Sequence, residues 1–392
     1  MRVRHVSVTK LFGVFDHEIP LRDDERITII HGLNGVGKTI VLRMIEEMLT
    51  GQVDLIGTVP YERFELRLDD ESTLRVEASG GRNARRLVFR RVSAAGQQEV
   101  SGDHVSFDFD KERPSPAHAA PWLSQLRHDV DVRLLHIDRH VRIEVATPVV
   151  DGELSSARLM PIVDDYSREI ARTIEAKRSE YAGISQELDQ SFPARILSRN
   201  GLAPYSLAEL RRRLAGLGEK HDKLSSLGIL SPAEILRDVP EEIDSSTLNT
   251  LSIYVKDTEK KLGSFDDLAS KIDALMDLVN SRFRFKRFAV RRGRGFVFIA
   301  DTGRDVPVAA LSSGEQHELV MLYELLFKTK PDTLVLIDEP EISLHLAWQQ
   351  QFLDDLEKVV RLAKIDVLVA THSPDIIGRH WDWTVSLEGP HE

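Results

Sequence analysis

The chain contains no cysteine, which excludes disulfides, thiolate metal sites, cysteine nucleophiles and thiol redox chemistry, and agrees with a reducing compartment. It also lacks any run approaching the roughly 18 consecutive apolar residues that a spanning helix needs. Its first residues, Met1-Arg2-Val3-Arg4-His5-Val6-Ser7-Val8, alternate like a strand where a secretory signal would place an apolar core. No membrane-embedded part is expected, and the chain reads as cytoplasmic. Internal repeats and low-complexity tracts are missing too. Net positive charge is absent: 52 Lys and Arg stand against 63 Asp and Glu, a balance of −11. That excludes coating of nucleic acid over the whole surface and restricts any such contact to a focal patch.

What is present is a 392-residue chain, 42% hydrophobic and 29% charged. Single cores stop growing near ~250–300 residues, so one large α/β domain with an inserted subdomain is expected. Residues 1–160 open with strand-like runs at Val6 and Val8, at Ile19 and Leu21, and at Arg26-Ile27-Thr28-Ile29-Ile30, followed by a glycine-rich loop and a helix from Thr39 to Leu49. Alternating runs such as Phe64-Glu65-Leu66-Arg67-Leu68 and Arg86-Leu87-Val88-Phe89-Arg90 then predict an antiparallel β subdomain. A proline-rich passage from Pro114 to Pro121 leads to a buried strand, Val132 to Ile137.

Residues 161–282 predict a helical insert. Ile170, Ile174, Tyr181, Ile184 and Leu188 form a seam near period 3.5. The breaks at Pro193 and Asn200-Gly201 end the helix carrying it, which is about 40 Å long at ~1.5 Å per residue. Leu207, Leu210, Leu214, Leu217 and Leu224 mark a second helix, and a third is predicted from Leu248 to Val279. Residues 283–392 return to strands and complete the core.

Gly32-Leu33-Asn34-Gly35-Val36-Gly37-Lys38-Thr39 fits G-x-x-x-x-G-K-[ST] between an apolar strand and a helix, the setting of a phosphate-binding P-loop. Gly32, Asn34, Gly35 and Gly37 shape a loop whose backbone N–H groups turn toward phosphates. Lys38 would reach the β- and γ-phosphates, and the Thr39 hydroxyl would ligate Mg²⁺. ATP and Mg²⁺ are the implied ligands. Thr333-Leu334-Val335-Leu336-Ile337-Asp338-Glu339-Pro340 delivers two carboxylates from a buried strand. Asp338 would hold the ion and Glu339 would orient and deprotonate the attacking water. Alone, the run reads first as a plain core strand with an acidic turn, and the P-loop upstream reverses that order.

Leu311-Ser312-Ser313-Gly314-Glu315-Gln316 is explained locally by a capping box, Ser312 with Glu315 or Ser313 with Gln316, ahead of an apolar helix from Leu319 to Phe327. The same string resembles the signature L-S-G-G-[QE] of ABC-type ATPases, with Ser313 in place of the first glycine. In that family the signature of one copy contacts the nucleotide held by the P-loop of another. The resemblance therefore implies a homodimer or larger homo-oligomer with ATP sites shared between copies, and roles in trans for Ser312, Ser313 and Gly314. Ala370-Thr371-His372-Ser373-Pro374 resembles the family's switch histidine, which implies that His372 senses the γ-phosphate and acts with Lys38 and Glu339 in hydrolysis. The implied fold is an ABC-type P-loop core, a mixed sheet plus antiparallel β subdomain, with the helical insert.

Asn34, the start Lys10-Leu11-Phe12-Gly13-Val14-Phe15, and Asp338-Glu339-Pro340-Glu341-Ile342-Ser343-Leu344-His345 look unlike transporter subunits and resemble SMC/RecF-related AAA-domain ATPases of the OLD type. Among these the likeness runs to the ATPase subunits of the antiphage systems PARIS and, less closely, Septu, carried by Ile27 to Gly32 and by Leu135 to Glu144. Here Glu341 reads as an extra acidic ligand and His345 as a dimer-interface contact, with helix capping by Ser343 as the local alternative. Only Asp375 to Glu392 follow the switch motif, so a nuclease of the OLD kind is expected on a separate effector chain. A DNA-clamping repair or chromosome-maintenance ATPase is the alternative. The dense basic segment Arg282 to Arg287, continued by Arg291, Arg292 and Arg294, reads as a focal DNA contact or as a β-hairpin with buried Phe and solvated Arg.

Overall fold

The computed structural model describes residues 1–52, 54–79, 86–92, 99–108, 129–135, 141–143, 159–197, 204–342, 344 and 346–388. They divide into two compact units, Met1–His140 with Met321–Glu392, and Val141–Val320.

In the first unit β1 (Val3–Leu11) and β2 (Phe15–Pro20) pair antiparallel, and β3 (Ile27–His31) leads into α1 (Lys38–Thr50). Gly51 in the left-handed conformation stops α1. The buried Glu47 carboxylate accepts the Leu55 and Ile56 N–H groups that open α2 (Asp54–Thr58). The strands β4 (Arg63–Leu68), β5 (Thr73–Ser79), β6 (Arg86–Val92) and β7 (Glu99–Asp108) form the expected meander. β1 and β2 join it in one antiparallel sheet of order β2-β1-β4-β5-β6-β7. The strand predicted from Val132 is β8 (Val132–Leu135); His136 to His140, Glu144 and Pro114 to Pro121 lie outside the described residues.

In the second unit β9 (Val141–Ile143) pairs with β10 (Leu159–Pro161). Four helices follow: α3 (Ile162–Leu197), α4 (Leu207–Ser226), α5 (Ser245–Gly263) and α6 (Asp266–Arg282). Of the predicted seams Ile170, Ile174, Leu188, Leu210, Leu214, Leu217 and Leu224 are buried, while Tyr181, Ile184 and Leu207 are half-buried. Two expectations fail here. The first helix runs through the first of its two predicted breaks, Pro193, and ends at Leu197 ahead of Asn200-Gly201, about 54 Å at ~1.5 Å per residue and longer than expected. Proline removes one N–H, but Arg195 beyond it donates to the Leu188 carbonyl (2.8 Å) and forms a two-pronged pair with Asp257 (2.6 Å each), which holds the last turn in place. The helix predicted from Leu248 to Val279 is two, because the chain turns where Phe265 buries completely against Tyr181.

The unit ends with β11 (Lys286–Arg291), β12 (Gly295–Ala300) and β13 (Asp305–Val306), an antiparallel sheet, and with most of α7 (Ser313–Tyr323). The boundary drawn at residue 283 from sequence thus differs from the observed division. The hairpin packs on the helices: Ser167 of α3 accepts the Phe296 N–H (2.8 Å), and Asn280 of α6 exchanges two hydrogen bonds with the backbone of Phe288.

Back in the first unit come β14 (Leu334–Asp338), α8 (Leu346–Gln349), α9 (Phe352–Ala363), β15 (Asp366–Thr371), α10 (Pro374–Ile377) and β16 (Thr384–Ser386). They complete a parallel sheet of order β16-β3-β15-β14-β8. Its central strands are buried along almost their whole length, as a parallel sheet covered on both faces requires. The main core gathers residues of both sheets around α1, whose Val41, Leu42, Met44, Ile45 and Met48 are buried. The chain is therefore α/β, with a parallel and an antiparallel sheet, and its helical insert carries a small sheet of its own.

Candidate functional site

Strand order decides which residues meet. In the parallel sheet β3 lies beside β15 and β15 beside β14, with Ala370 opposite both Ile30 and Asp338. The segments after these strands therefore leave from one edge, side by side, although sequence separates them by some 300 positions. They are the loop Gly32–Thr39, the acids Asp338 and Glu339, and Thr371-His372. Ligands of open parallel sheets bind at such carboxyl edges.

The loop is held open from within. Gly35 and Gly37 take φ of 90° and 99°, the region that side chains avoid, and a Cβ on Gly37 would stand 2.5 Å from the Leu11 side chain. Buried His17 hydrogen-bonds the Val36 carbonyl through Nε2 (2.8 Å). Lys38 is buried, and its ammonium donates to the Gly32 (2.8 Å) and Leu33 (3.2 Å) carbonyls of its own loop. Asn34 and Thr39 are exposed at the mouth. The N-terminal amides of α1 point the same way, and with Lys38 they make an anion site.

The Thr39 hydroxyl hydrogen-bonds Asp338. Burial drives the Asp338 carboxyl above the usual carboxylate range, the charges of Glu339 and Glu341 push it further, and Thr39 and Lys38 oppose the shift. Its Oδ1 is buried with no hydrogen-bond partner. A hydroxyl and an orphaned carboxylate oxygen side by side suit a hard divalent cation such as Mg²⁺. Glu339 sits at φ 44°, an uncommon conformation for glutamate, and its N–H donates to the Ala370 carbonyl (2.8 Å). This turns its side chain toward His372, whose Nδ1 is 3.6 Å from Glu339 Oε1 and 3.0 Å from Glu341 Oε1.

Two residues matter here that sequence reading missed. His17 supports the loop, and Thr371, fully buried, donates to Glu341 (2.7 Å) while accepting the Ser373 N–H (3.0 Å). No local signal announces either, since both depend on strand neighbours far away in sequence. Glu341, expected beside the acids as an extra ligand, spends one oxygen on Thr371 and His372, while its Oε2 is buried with no hydrogen-bond partner. Ser343 and His345 lie outside the described residues.

The signature-like string falls in the other unit. Its capping box forms with Ser312 and Glu315: the Glu315 N–H donates to Ser312 Oγ (3.3 Å) and the Ser312 N–H to Glu315 Oε2 (2.8 Å). Burial works against the Glu315 charge, but Lys286 (2.9 Å) and Ser312 outweigh it and hold the carboxyl below its usual range. Ser312 and Ser313 remain exposed, and the Ser312 hydroxyl, acting as acceptor within the cap, keeps its proton to donate. The basic segment is a hairpin with Phe288 buried and Arg287, Arg291, Arg292 and Arg294 exposed; Phe285, 81% exposed, departs from the expected pattern. Arg294 pairs with Asp305 (3.1 Å).

Residues 27–378 match the family described as "AAA domain, putative AbiEii toxin, Type IV TA system". The chain belongs to that family. As an AAA domain it is also 34% identical, over 76 residues, to two proteins from strains of Helicobacter pylori, each called "Probable iron chelatin transport ATP-binding protein". The stretch is 19% of this chain and 29% of theirs, so the AAA domain spans less than a third of those relatives. Among solved structures it is similar to an Smc head domain from Pyrococcus furiosus bound to the C-terminal domain of ScpA, at 13% identity and TM-score 0.35, covering 96% of this chain and 91% of that one. The SMC head domain from Thermotoga maritima has 11% identity and TM-score 0.36 at the same coverage. Among the described residues no helix is long and apolar enough to cross a membrane.

Proposed function

We propose that this chain binds ATP with Mg²⁺ and hydrolyses it, and that each site is completed by Ser312, Ser313 and Gly314 of a second copy. The reading is carried by one observation: the P-loop with Thr39, the acids Asp338 and Glu339, and His372 leave one sheet edge together. The phosphates would lie on the loop amides, and the Lys38 ammonium would leave the Gly32 and Leu33 carbonyls for the β- and γ-phosphate oxygens. Thr39 and Asp338 would hold Mg²⁺, which supplies neutralisation of phosphate charge. Glu339 would take a proton from water as its oxygen attacks the γ-phosphorus and the bond to the β,γ-bridging oxygen breaks, leaving ADP and phosphate.

At the level of the cell, we read the dimer as the ATP-gated scaffold of an antiphage complex that restrains a separate, nuclease-like effector and releases it on infection. The family's description, with its toxin–antitoxin wording, supports a two-component role. The test uses two variants. Lys38→Ala should lose ATP binding in calorimetry, whereas Glu339→Gln should bind ATP and hydrolyse it at least about 100-fold more slowly. Pull-down of Glu339→Gln from cells carrying the neighbouring genes should retain the effector; recovery of no partner would refute the scaffold role.

The exposed arginines favour a second reading, a DNA-clamping ATPase. Charge reversal of Arg291, Arg292 and Arg294 would then weaken DNA binding and lower its salt slope, by about 0.9 for each phosphate no longer neutralised. Unchanged binding would reject it.

A further inference from the structure

Glu341 is 9% exposed, yet none of its contacts resembles those of a solvated or capping acid. Its Oε1 accepts the Thr371 hydroxyl (2.7 Å) and the His372 N–H (3.0 Å), and lies 3.0 Å from His372 Nδ1. Glu339, the other carboxylate facing that ring, is 3.6 Å away, beyond hydrogen-bond distance. Both ends of the arrangement are anchored. Gln349 donates to the Glu341 carbonyl (3.1 Å), and the Thr371 hydroxyl accepts the Ser373 N–H (3.0 Å), so carboxylate and histidine backbone are locked to the ends of β14 and β15. The His372 side chain itself is 47% exposed.

A carboxylate can only accept, so an imidazole that pairs with it in the neutral form does so with its proton on Nδ1 and its lone pair on Nε2. We propose that Glu341 is the positioning residue of the site. It fixes His372 in the Nδ1–H tautomer and presents Nε2 as an acceptor, so that His372 holds the attacking water by accepting a hydrogen bond from it rather than donating one to the γ-phosphate, while Glu339 remains the base. A carboxylate that orients a histidine through its other nitrogen is the arrangement used by metal-binding histidines and by hydrolytic triads. The inference rests on the hydrolytic reading above.

The experiment measures the tautomer and the kinetics separately. In ¹⁵N-histidine-labelled protein, the His372 signals, assigned by loss in His372→Ala, should show protonated Nδ1. In Glu341→Ala the ring should pass to the Nε2–H form, with kcat down about 10- to 100-fold and KM for ATP changed less than ~3-fold. Glu341→Gln keeps an acceptor oxygen and should restore the tautomer and part of kcat. In the His372→Ala background, Glu341→Ala should cause no further loss. An unchanged tautomer in Glu341→Ala, or an equal fall in kcat without His372, overturns the proposal. If the wild-type chain turns over no ATP the hydrolytic reading is lost, while the tautomer still decides the part played by Glu341.

Discussion

At the opposite end of β15 from His372, Asp366 ties three segments together. Hydrogen bonds from Arg2 and Arg26 hold it, and Arg26 reaches Asp332 as well. Burial works against the Asp366 charge, but the two guanidiniums outweigh it and keep its carboxyl below the ordinary value of 3.8. Asp366→Asn should cost about 1.5–3 kcal/mol in urea unfolding, the range for hydrogen bonds to charged groups, since each arginine keeps some solvent and a second acidic neighbour. The sign of the pH dependence follows. A lowered folded pKa stabilises the fold fully above the unfolded value and is lost as pH falls through the folded one. The gap between wild type and variant should therefore stay constant from pH 7 to about 5 and close only below 3.8. A gap that narrows near pH 6 would assign the stability to some other group.

Among the elements, the last turn of α3 depends on a residue distant in sequence. Arg195 holds the turn beyond Pro193 through Asp257 of α5 and the Leu188 carbonyl, so Arg195→Leu should fray residues 194–197. Amide exchange of Ile196 and Leu197 should quicken about tenfold or more while the turn around Ile174 is unchanged, and equal protection in both proteins would contradict the account. This case also marks what sequence could convey. Glycine spacing, an apolar strand ending in two acids, heptad-like seams and the Ser312–Glu315 box are local rules, and the P-loop, β14, α3, α4 and the start of α7 follow from them. Pro193 and Phe265 misled because their outcome is set by tertiary partners, Asp257 and Tyr181. For the same reason β1 and β2 were legible as strands but not as members of the antiparallel sheet. Glu341 was legible as an acid near the site, while its pairing with His372 needed the register of β14 against β15.

For the whole molecule, the two parts of the proposed nucleotide site belong to different units: the P-loop to the one containing both termini, Ser312 to the one containing the helical insert. Within its own unit Ser312 has a sufficient local explanation, because the cap it forms with Glu315 would stabilise α7 in any helical protein. A cap alone does not need to face solvent, and it tolerates Thr, Asp or Asn equally. A γ-phosphate donor in trans tolerates neither bulk nor carboxylate. Ser312→Arg and Ser312→Asp therefore separate the two roles. Both should leave ATP affinity within ~3-fold of wild type, since the P-loop is untouched, and Ser312→Asp should preserve the melting temperature because Asp caps as well as Ser. Both should nonetheless lose hydrolysis by about 100-fold or more, the cost of removing one transition-state donor. In the Glu339→Gln background they should also prevent ATP-dependent dimerisation in sedimentation velocity. Turnover that persists in Ser312→Asp, or that is independent of protein concentration down to a monomeric species, would place the complete site within one copy and leave Ser312 as a helix cap.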